Sequence, residues 1–197
     1  MSYSIEPSFL FCNELTRLIV KAGTKVENQW FFVDGAFSST VAVESKGFDS
    51  WNRENFVVVC EKKIIAYFEG VWERPLDIIM GVRVILFEKE YSLTMGRALL
   101  DYLNYLFVDR GCMVFNWSVA IKNKRAYEIY EKFTKRHCGH RVGIRSHAQK
   151  GYSGEISDVV LYEITREEFF HWKNKERELS LVSLDESKDM INPSIKN

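Results

Sequence analysis

The chain has no excess of either charge: 27 Lys and Arg balance 27 Asp and Glu. Such a balance creates no overall field to draw in nucleic acid or an anionic membrane, so any charge-driven recognition is local. Cysteine is scarce and scattered. Cys12, Cys60, Cys112 and Cys138 form no Cys-x-x-Cys pair in a chain of 197 residues, which is long enough to bury a core of its own. This excludes a disulfide-stapled mini-scaffold and predicts reduced thiols, mostly in the core. His137, Cys138 and His140 lie close together, but no second ligand pair stands at zinc spacing. They are expected to line a turn, with no metal and no Cys-His nucleophile. Long apolar runs are missing too: none approaches the roughly 20 residues that span a bilayer, and no basic-then-apolar leader opens the sequence. A cytoplasmic protein is expected, with neither nucleic acid nor membrane among its partners.

What is present is 46% hydrophobic and 14% aromatic residues without repeats or low-complexity tracts. A single domain over residues 1–178, followed by a polar tail over 179–197, accounts for the composition. Leu10, Leu15, Leu18 and Ile19 recur near helical spacing before Gly23, predicting a helix from about Phe9 to Ala22. Residues 24–54 are rich in aromatics and Ser without a clean period, as expected of pieces that wrap over a cleft. Phe56–Cys60 and Ile64–Val71, joined by a polar Glu-Lys-Lys turn, predict an antiparallel hairpin. A strand over Ile78–Phe87 follows. A helix over Gly96–Val108 then carries Leu99, Leu100, Leu103, Leu106 and Phe107 on one face and stops at Gly111. Next come a buried strand over Met113–Val119, a helix over Ala126–Phe133 and a strand over Asp158–Ile164. Thr165 and Glu168 have the spacing of a capping box that opens a helix through about Lys175.

Strand, tight loop, helix, strand, helix, strand over residues 78–164 is an α/β order, in which ligands sit at the carboxyl ends of strands. Two stretches lie at those places. Gly96-Arg97-Ala98-Leu99-Leu100 resembles the end of the acetyl-CoA loop and the following helix in the GNAT N-acetyltransferase superfamily. Asn123-x-x-Ala126-x-x-x-Tyr130-Glu131-Lys132 resembles that superfamily's second cofactor motif. Gly96 and Asn123 are 27 residues apart, which leaves room for one helix and one strand, as in GNAT domains. Members usually show Gln or Arg, two free positions, Gly, one free position, then Gly or Ala. Here Tyr91 and Thr94 hold the first two fixed positions and only Gly96 matches.

The resemblance covers about residues 56–164, the cofactor-binding core, with residues 1–55 as a helical substrate segment. It implies a mixed, mostly antiparallel central sheet flanked by helices, with a bulged strand splaying the sheet at an acetyl-CoA cleft. Matched without a gap, it puts the main-chain pantetheine contact at Leu86 and an interrupted pairing near Leu86 and Phe87. Pyrophosphate would meet Tyr91, Ser92, Thr94, Met95, Gly96 and Arg97, where a loop entering a helix offers free N–H groups and the positive end of its dipole. Asn123 would bond the pantetheine arm, or else simply cap its helix. In the basic run of Lys122, Lys124 and Arg125, Arg125 is the phosphate candidate. Tyr130 would sit near the sulfur as general acid, since a phenol of pKa about 10 can protonate a thiolate whose acid has pKa about 8.5.

Glu69 and Glu73 are candidates to take a proton from the amine, ahead of Glu44 and Glu88. The implied activity is acetyl transfer from acetyl-CoA, without a metal, to a primary amine by direct attack in a ternary complex. The amine would belong to a small molecule, a protein lysine or a protein N-terminus, and a homodimer is compatible. The altered loop also permits a GNAT-like domain that binds CoA without efficient transfer, or a protein-interaction module. The last helix continues Phe133-Thr134-Lys135-Arg136 where members often read Gly-Phe, which predicts an insertion or altered turn before the last strands. Residues 24–54 and 136–157 correspond to the family's substrate-specific regions.

Overall fold

The computed structural model describes residues 2–24, 53–151 and 153–191. Val57, Val58 and Val59 face the run Ile64–Phe68 across a hairpin, the β-branched and aromatic residues suiting a pleated surface. The two strands are β2 (Arg53–Cys60) and β3 (Lys63–Glu73). Glu61 and Lys62 between them have φ of 51° and 65°, the left-handed pair that matches strand twist in a tight hairpin. On the outer side β2 pairs with β1 (Tyr3–Pro7), and on the other β3 pairs with β4 (Ile78–Leu86).

The chain then crosses through helix α2 (Ser92–Asn104) to β5 (Val114–Ala120), which lies parallel to β4. Helix α3 (Lys124–Arg136) leads to β6 (His140–Lys150), β7 (Ile156–Thr165) and helix α4 (Arg166–Ile191), while α1 (Cys12–Gly23) precedes β2. The described strands form one sheet in the order β1-β2-β3-β4-β5-β7-β6, antiparallel except for β4 with β5. This is the mixed, mostly antiparallel α/β sheet expected from the sequence.

Alternation along β3 sends successive side chains to opposite faces. Tyr67 packs under Leu15 and Ile19 of α1 together with Val57 and Ile85. Phe68 faces the other way and stacks on Tyr102 of α2 at 5.3 Å. Helices α2, α3 and α4 all bury their apolar residues on that second face, where Leu103, Phe107, Trp117, Tyr162 and Phe169 share one core. Each fully buried Leu, Ile or Phe contributes about 1.5–3 kcal/mol. Cys60, Cys112 and Cys138 are buried as expected of core thiols.

Several elements depart from the sequence expectation. Strand β1 and the eleven-residue β6 are additional, β6 filling the place where an altered turn was anticipated. Helix α2 starts at Ser92 rather than Gly96 and passes into a π-turn over Tyr105–Asp109 before Gly111, whose φ is 71°. Helix α4 does not stop near Lys175 but continues to Ile191, into the residues assigned to the tail. Its capping box forms: the Thr165 N–H donates to Glu168 Oε2 at 2.9 Å, and the Glu168 N–H to Thr165 Oγ1 at 3.2 Å. Residues 25–52, with most of the aromatic segment and Glu44, lie outside the described residues.

Candidate functional site

The sheet opens because β4 carries one residue more than β3 can match. Glu69 opposes Arg83 and Val71 opposes Met80, so one residue of β3 faces two of β4. Gly81 absorbs the extra residue at φ 63°, a left-handed conformation that favours glycine. The bulge puts both Ile79 and Val82 on the α2 face, although their numbering alone would send them to opposite sides. Gly70 beside it gives the room: a Cβ there would stand 3.0 Å from Ile79 Cγ2.

Parallel pairing of β4 with β5 runs through Ile78, Ile79 and Val82, the last opposite Trp117, and goes no further. From Arg83 to Leu86 the β5 side of β4 therefore has no strand partner among the described residues, while its other side stays paired to β3. The Gly81 N–H at the fork donates to Asn116 Oδ1 of β5 at 3.4 Å. The interruption thus lies at Gly81, not near Leu86 and Phe87. Leu86 pairs with Ala66, and the Phe87 N–H bonds to the Ile65 carbonyl at 3.0 Å. The sequence did carry a signal for this position, a lone Gly inside a Val and Ile run, which marks a bulge.

Behind the fork lies a crevice walled by Val82 and Val84 of β4, Leu99 and Leu103 of α2, Phe115 and Trp117 of β5, and Tyr130 and Phe133 of α3. Its free volume is about 10 Å³, on the order of one water. Trp117 in its wall stacks on Tyr162 at 5.3 Å and packs against Tyr130 at 5.7 Å. These apolar surroundings push the Tyr130 phenol up to about 12. It therefore stays protonated across the physiological range, as a proton donor requires.

The expected phosphate loop takes another form. Lys89–Tyr91 make a 3₁₀ turn, and Ser92, Thr94 and Met95 form the first turn of α2, with Gly96 and the exposed Arg97 following in the helix. Tyr91 is buried against Ala98 and Phe68 rather than presented at the surface. The N-terminus of α2 has no side-chain cap and no acidic residue in its first turn. Helix α3 differs: Asn123 caps it, its Oδ1 accepting the Ala126 N–H at 3.4 Å. Within the basic run Lys122 is committed to Glu155 at 2.7 Å, and Lys124 and Arg125 are exposed.

The acidic candidates separate. Glu69 lies two residues from Tyr67 and shares its face, opposite the face where Tyr130 packs, and it is level with the bulge. Glu73 sits at the far end of β3, opposite Ile78 where β4 begins, and is exposed. Glu69 thus stands beside the fork, opposite Arg83, on the sheet face away from Tyr130, and Glu73 stands at the far end of the strand. Asn116 and Trp117 at the fork were not anticipated. Nothing in a strand of alternating residues distinguishes them until the neighbouring strand parts from them.

No family model matches the sequence, and no curated protein matches it. Solved structures do. A chimera of the spermidine N-acetyltransferase SpeG from Vibrio cholerae with hSSAT aligns with TM-score 0.66 and 16% identity over 87% of this chain and 99% of its own. A second chimera of the same pair, with a different segment exchanged, aligns with TM-score 0.69 and 16% identity over 86% and 99%. Mutant forms of the spermidine/spermine N-acetyltransferase SpeG from Vibrio cholerae align with TM-score 0.64 and 16% identity over 86% and 98%. At these identities the likeness is one of fold: the chain has the acetyltransferase fold that its motifs resemble.

Proposed function

We propose that the chain is an acetyl-CoA-dependent N-acetyltransferase acting on a primary amine by direct attack in a ternary complex. The observation that carries the reading is the fork at Gly81, which frees one edge of β4 from Arg83 to Leu86 just ahead of an uncapped helix N-terminus. A free strand edge offers N–H and C=O groups at the spacing of a chain bearing amides. An uncapped helix start offers N–H donors and a positive dipole end to phosphate. The two occur in the order that pantetheine and pyrophosphate have in CoA. The solved relatives of this fold include enzymes named for acetylating spermidine, an amine.

In this reading the edge of β4 up to Leu86 holds the pantetheine amides, and the free backbone N–H groups of Ser92 and Thr94 hold the pyrophosphate, with Met95 and Gly96 forming the turn behind them that it approaches. Tyr91 supports that turn from beneath. Arg97 and Arg125 supply charge toward the phosphates, and the amide nitrogen of Asn123 is left to donate while its oxygen caps α3. Acetyl-CoA supplies an activated acyl group. The Trp117 and Tyr130 rings turn aside to admit its thioester end, because the crevice is no larger than one water. Glu69, directly or through water, takes the proton an alkylammonium of pKa about 10.4 must lose at neutral pH. The amine nitrogen then bonds to the acyl carbon, the C–S bond breaks, the Tyr130 O–H protonates the departing sulfur, and the proton that the nitrogen sheds on becoming an amide restores Tyr130 through water. Glu73 is the weaker base, being exposed and distant from the fork.

Thiol release from acetyl-CoA, followed across a panel of mono-, di- and polyamines, a lysine peptide and a free peptide N-terminus, tests the activity. Acceptor-dependent release that falls in Tyr130→Phe supports the reading. No release with any acceptor, although acetyl-CoA binds, leaves a CoA-binding domain without transfer and contradicts it.

A further inference from the structure

A second cavity, of about 410 Å³, lies at the C-terminal turn of α3, next to the crevice along the helix, and shares no lining residue with it. That size falls within the range of small-molecule sites. Its walls come from the last turn of α3, the link to β6 and the first turns of α4. Gly139 closes the floor with φ 90°, where a Cβ would come within 2.7 Å of the Glu163 carbonyl oxygen.

The geometry points to an anion-binding site here, taking a small molecule that presents carboxylate or phosphate oxygens. Three cations converge from two helices, Lys135 and Arg136 on α3 and Lys175 on α4. Two carboxylates share the walls, but Glu168 is spoken for: Oε1 meets His140 Nδ1 at 2.7 Å and Oε2 holds the Thr165 cap. Lys135 Nζ lies 4.0 Å from Glu131 Oε2 on its own helix, so among the lining residues Glu176 is left to oppose Arg136 and Lys175. Two nitrogens of the lining side chains, Trp172 Nε1 and His137 Nδ1, are buried without a hydrogen-bond partner.

An indole N–H has no role but donation, and leaving a buried polar group unpaired costs about 1–3 kcal/mol. In this proposal the Trp172 ring rotates when the anion binds, so that its N–H reaches an oxygen acceptor in the cavity. His137 stands edge to face with Trp172 at 5.5 Å, and burial holds it below its ordinary pKa, so the wall it forms is neutral. Lys135 and Arg136 also complement the carbonyl end of α3. That accounts for their place in the sequence but not for the cavity, for Lys175 arriving from another helix, or for the two unpaired nitrogens.

The test is nitrogen-15 NMR on the full chain, reading the Trp172 indole N–H, which is assigned by its loss in Trp172→Phe. Inorganic phosphate, citrate and adenosine monophosphate are titrated against sodium chloride at equal ionic strength. A saturable shift at Trp172 with the Trp117 indole unmoved is expected, weakened roughly tenfold in Arg136→Ala, the value of one charge-assisted contact. Response to phosphate and the nucleotide but not citrate names the phosphate class, and the reverse names carboxylates. A Trp172 signal that moves no more than in sodium chloride overturns the proposal. So does a shift unchanged in both Arg136→Ala and Lys175→Ala. Because the crevice is read separately at Trp117, the result is independent of the acetyltransfer reading.

Discussion

Gly96 separates a structural role from a functional one, because the two predict effects of opposite sign. It lies in the second turn of α2, and a Cβ built on it meets nothing within 4 Å. Glycine inside a helix costs about 0.5–1 kcal/mol relative to alanine through lost backbone entropy. Gly96→Ala is therefore expected to stabilise the chain by about that amount, raising Tm by roughly 1–4 °C for a chain of this size. If phosphate approaches the backbone at this turn, a side chain there obstructs it. One charge-assisted hydrogen bond is worth about 1.5–3 kcal/mol, so Gly96→Leu is expected to weaken acetyl-CoA at least tenfold while keeping a raised Tm. Calorimetric melting and isothermal titration on the same samples provide both readings. Raised stability with unchanged affinity would refute the phosphate role, and lowered stability would refute the placement of Gly96 within the helix.

Tyr130→Phe is expected to lower kcat by about 10²-fold or more with the acetyl-CoA Kd unchanged, as loss of a general acid would; equal turnover contradicts the assignment. Since the folded phenol of Tyr130 is pushed up to about 12, against about 10 in an unfolded chain, the unfolded state ionises first. Stability is therefore lost as pH rises from about 10 toward 12, a drift that alkaline melting curves would show reduced in Tyr130→Phe. Glu69→Gln is expected to depress kcat near neutral pH with some recovery at higher pH, where the amine deprotonates itself, whereas Glu73→Gln leaves the profile unchanged. Gly139→Ala places a methyl 2.6 Å from Ile164 Cγ1 at φ 90°; strain and overpacking together cost about 2–6 kcal/mol, seen as a Tm lower by several degrees or more.

The elements that the sequence revealed are those whose burial is one-sided. Helices α1, α2 and α3 each bury one face, which leaves a period in the residues; the β2–β3 hairpin, covered on both faces, shows instead as two β-branched and aromatic runs around a polar turn, and the Thr165 to Glu168 cap leaves its spacing. Strand β6 was missed because it is exposed along nearly its whole length, so His140-Arg-Val-Gly-Ile-Arg-Ser-His147 shows no alternation. Two breaks in its pairing with β7 erase the rest. The start of α2 was placed late because its N-cap is Tyr91, a residue type without a capping side chain.

Among the candidate site residues, the placement of Asn123 and Tyr130 on one helix was legible because their spacing is local. The position of the fork was not. It depends on a count between two strands, and matching the family without a gap put it at Leu86 instead of Gly81. The face on which Glu69 lies also follows from pairing, not from its neighbours in sequence.

Isothermal titration of the full chain with acetyl-CoA, with CoA and ATP as comparisons, addresses the central claim without knowledge of the acceptor. Micromolar binding of acetyl-CoA and CoA, with ATP much weaker, is the predicted result: it requires the edge of β4 to be read along with the phosphates. Absence of binding, or equal binding of ATP and CoA, would contradict the account, because the fork at Gly81 would then hold no pantetheine arm.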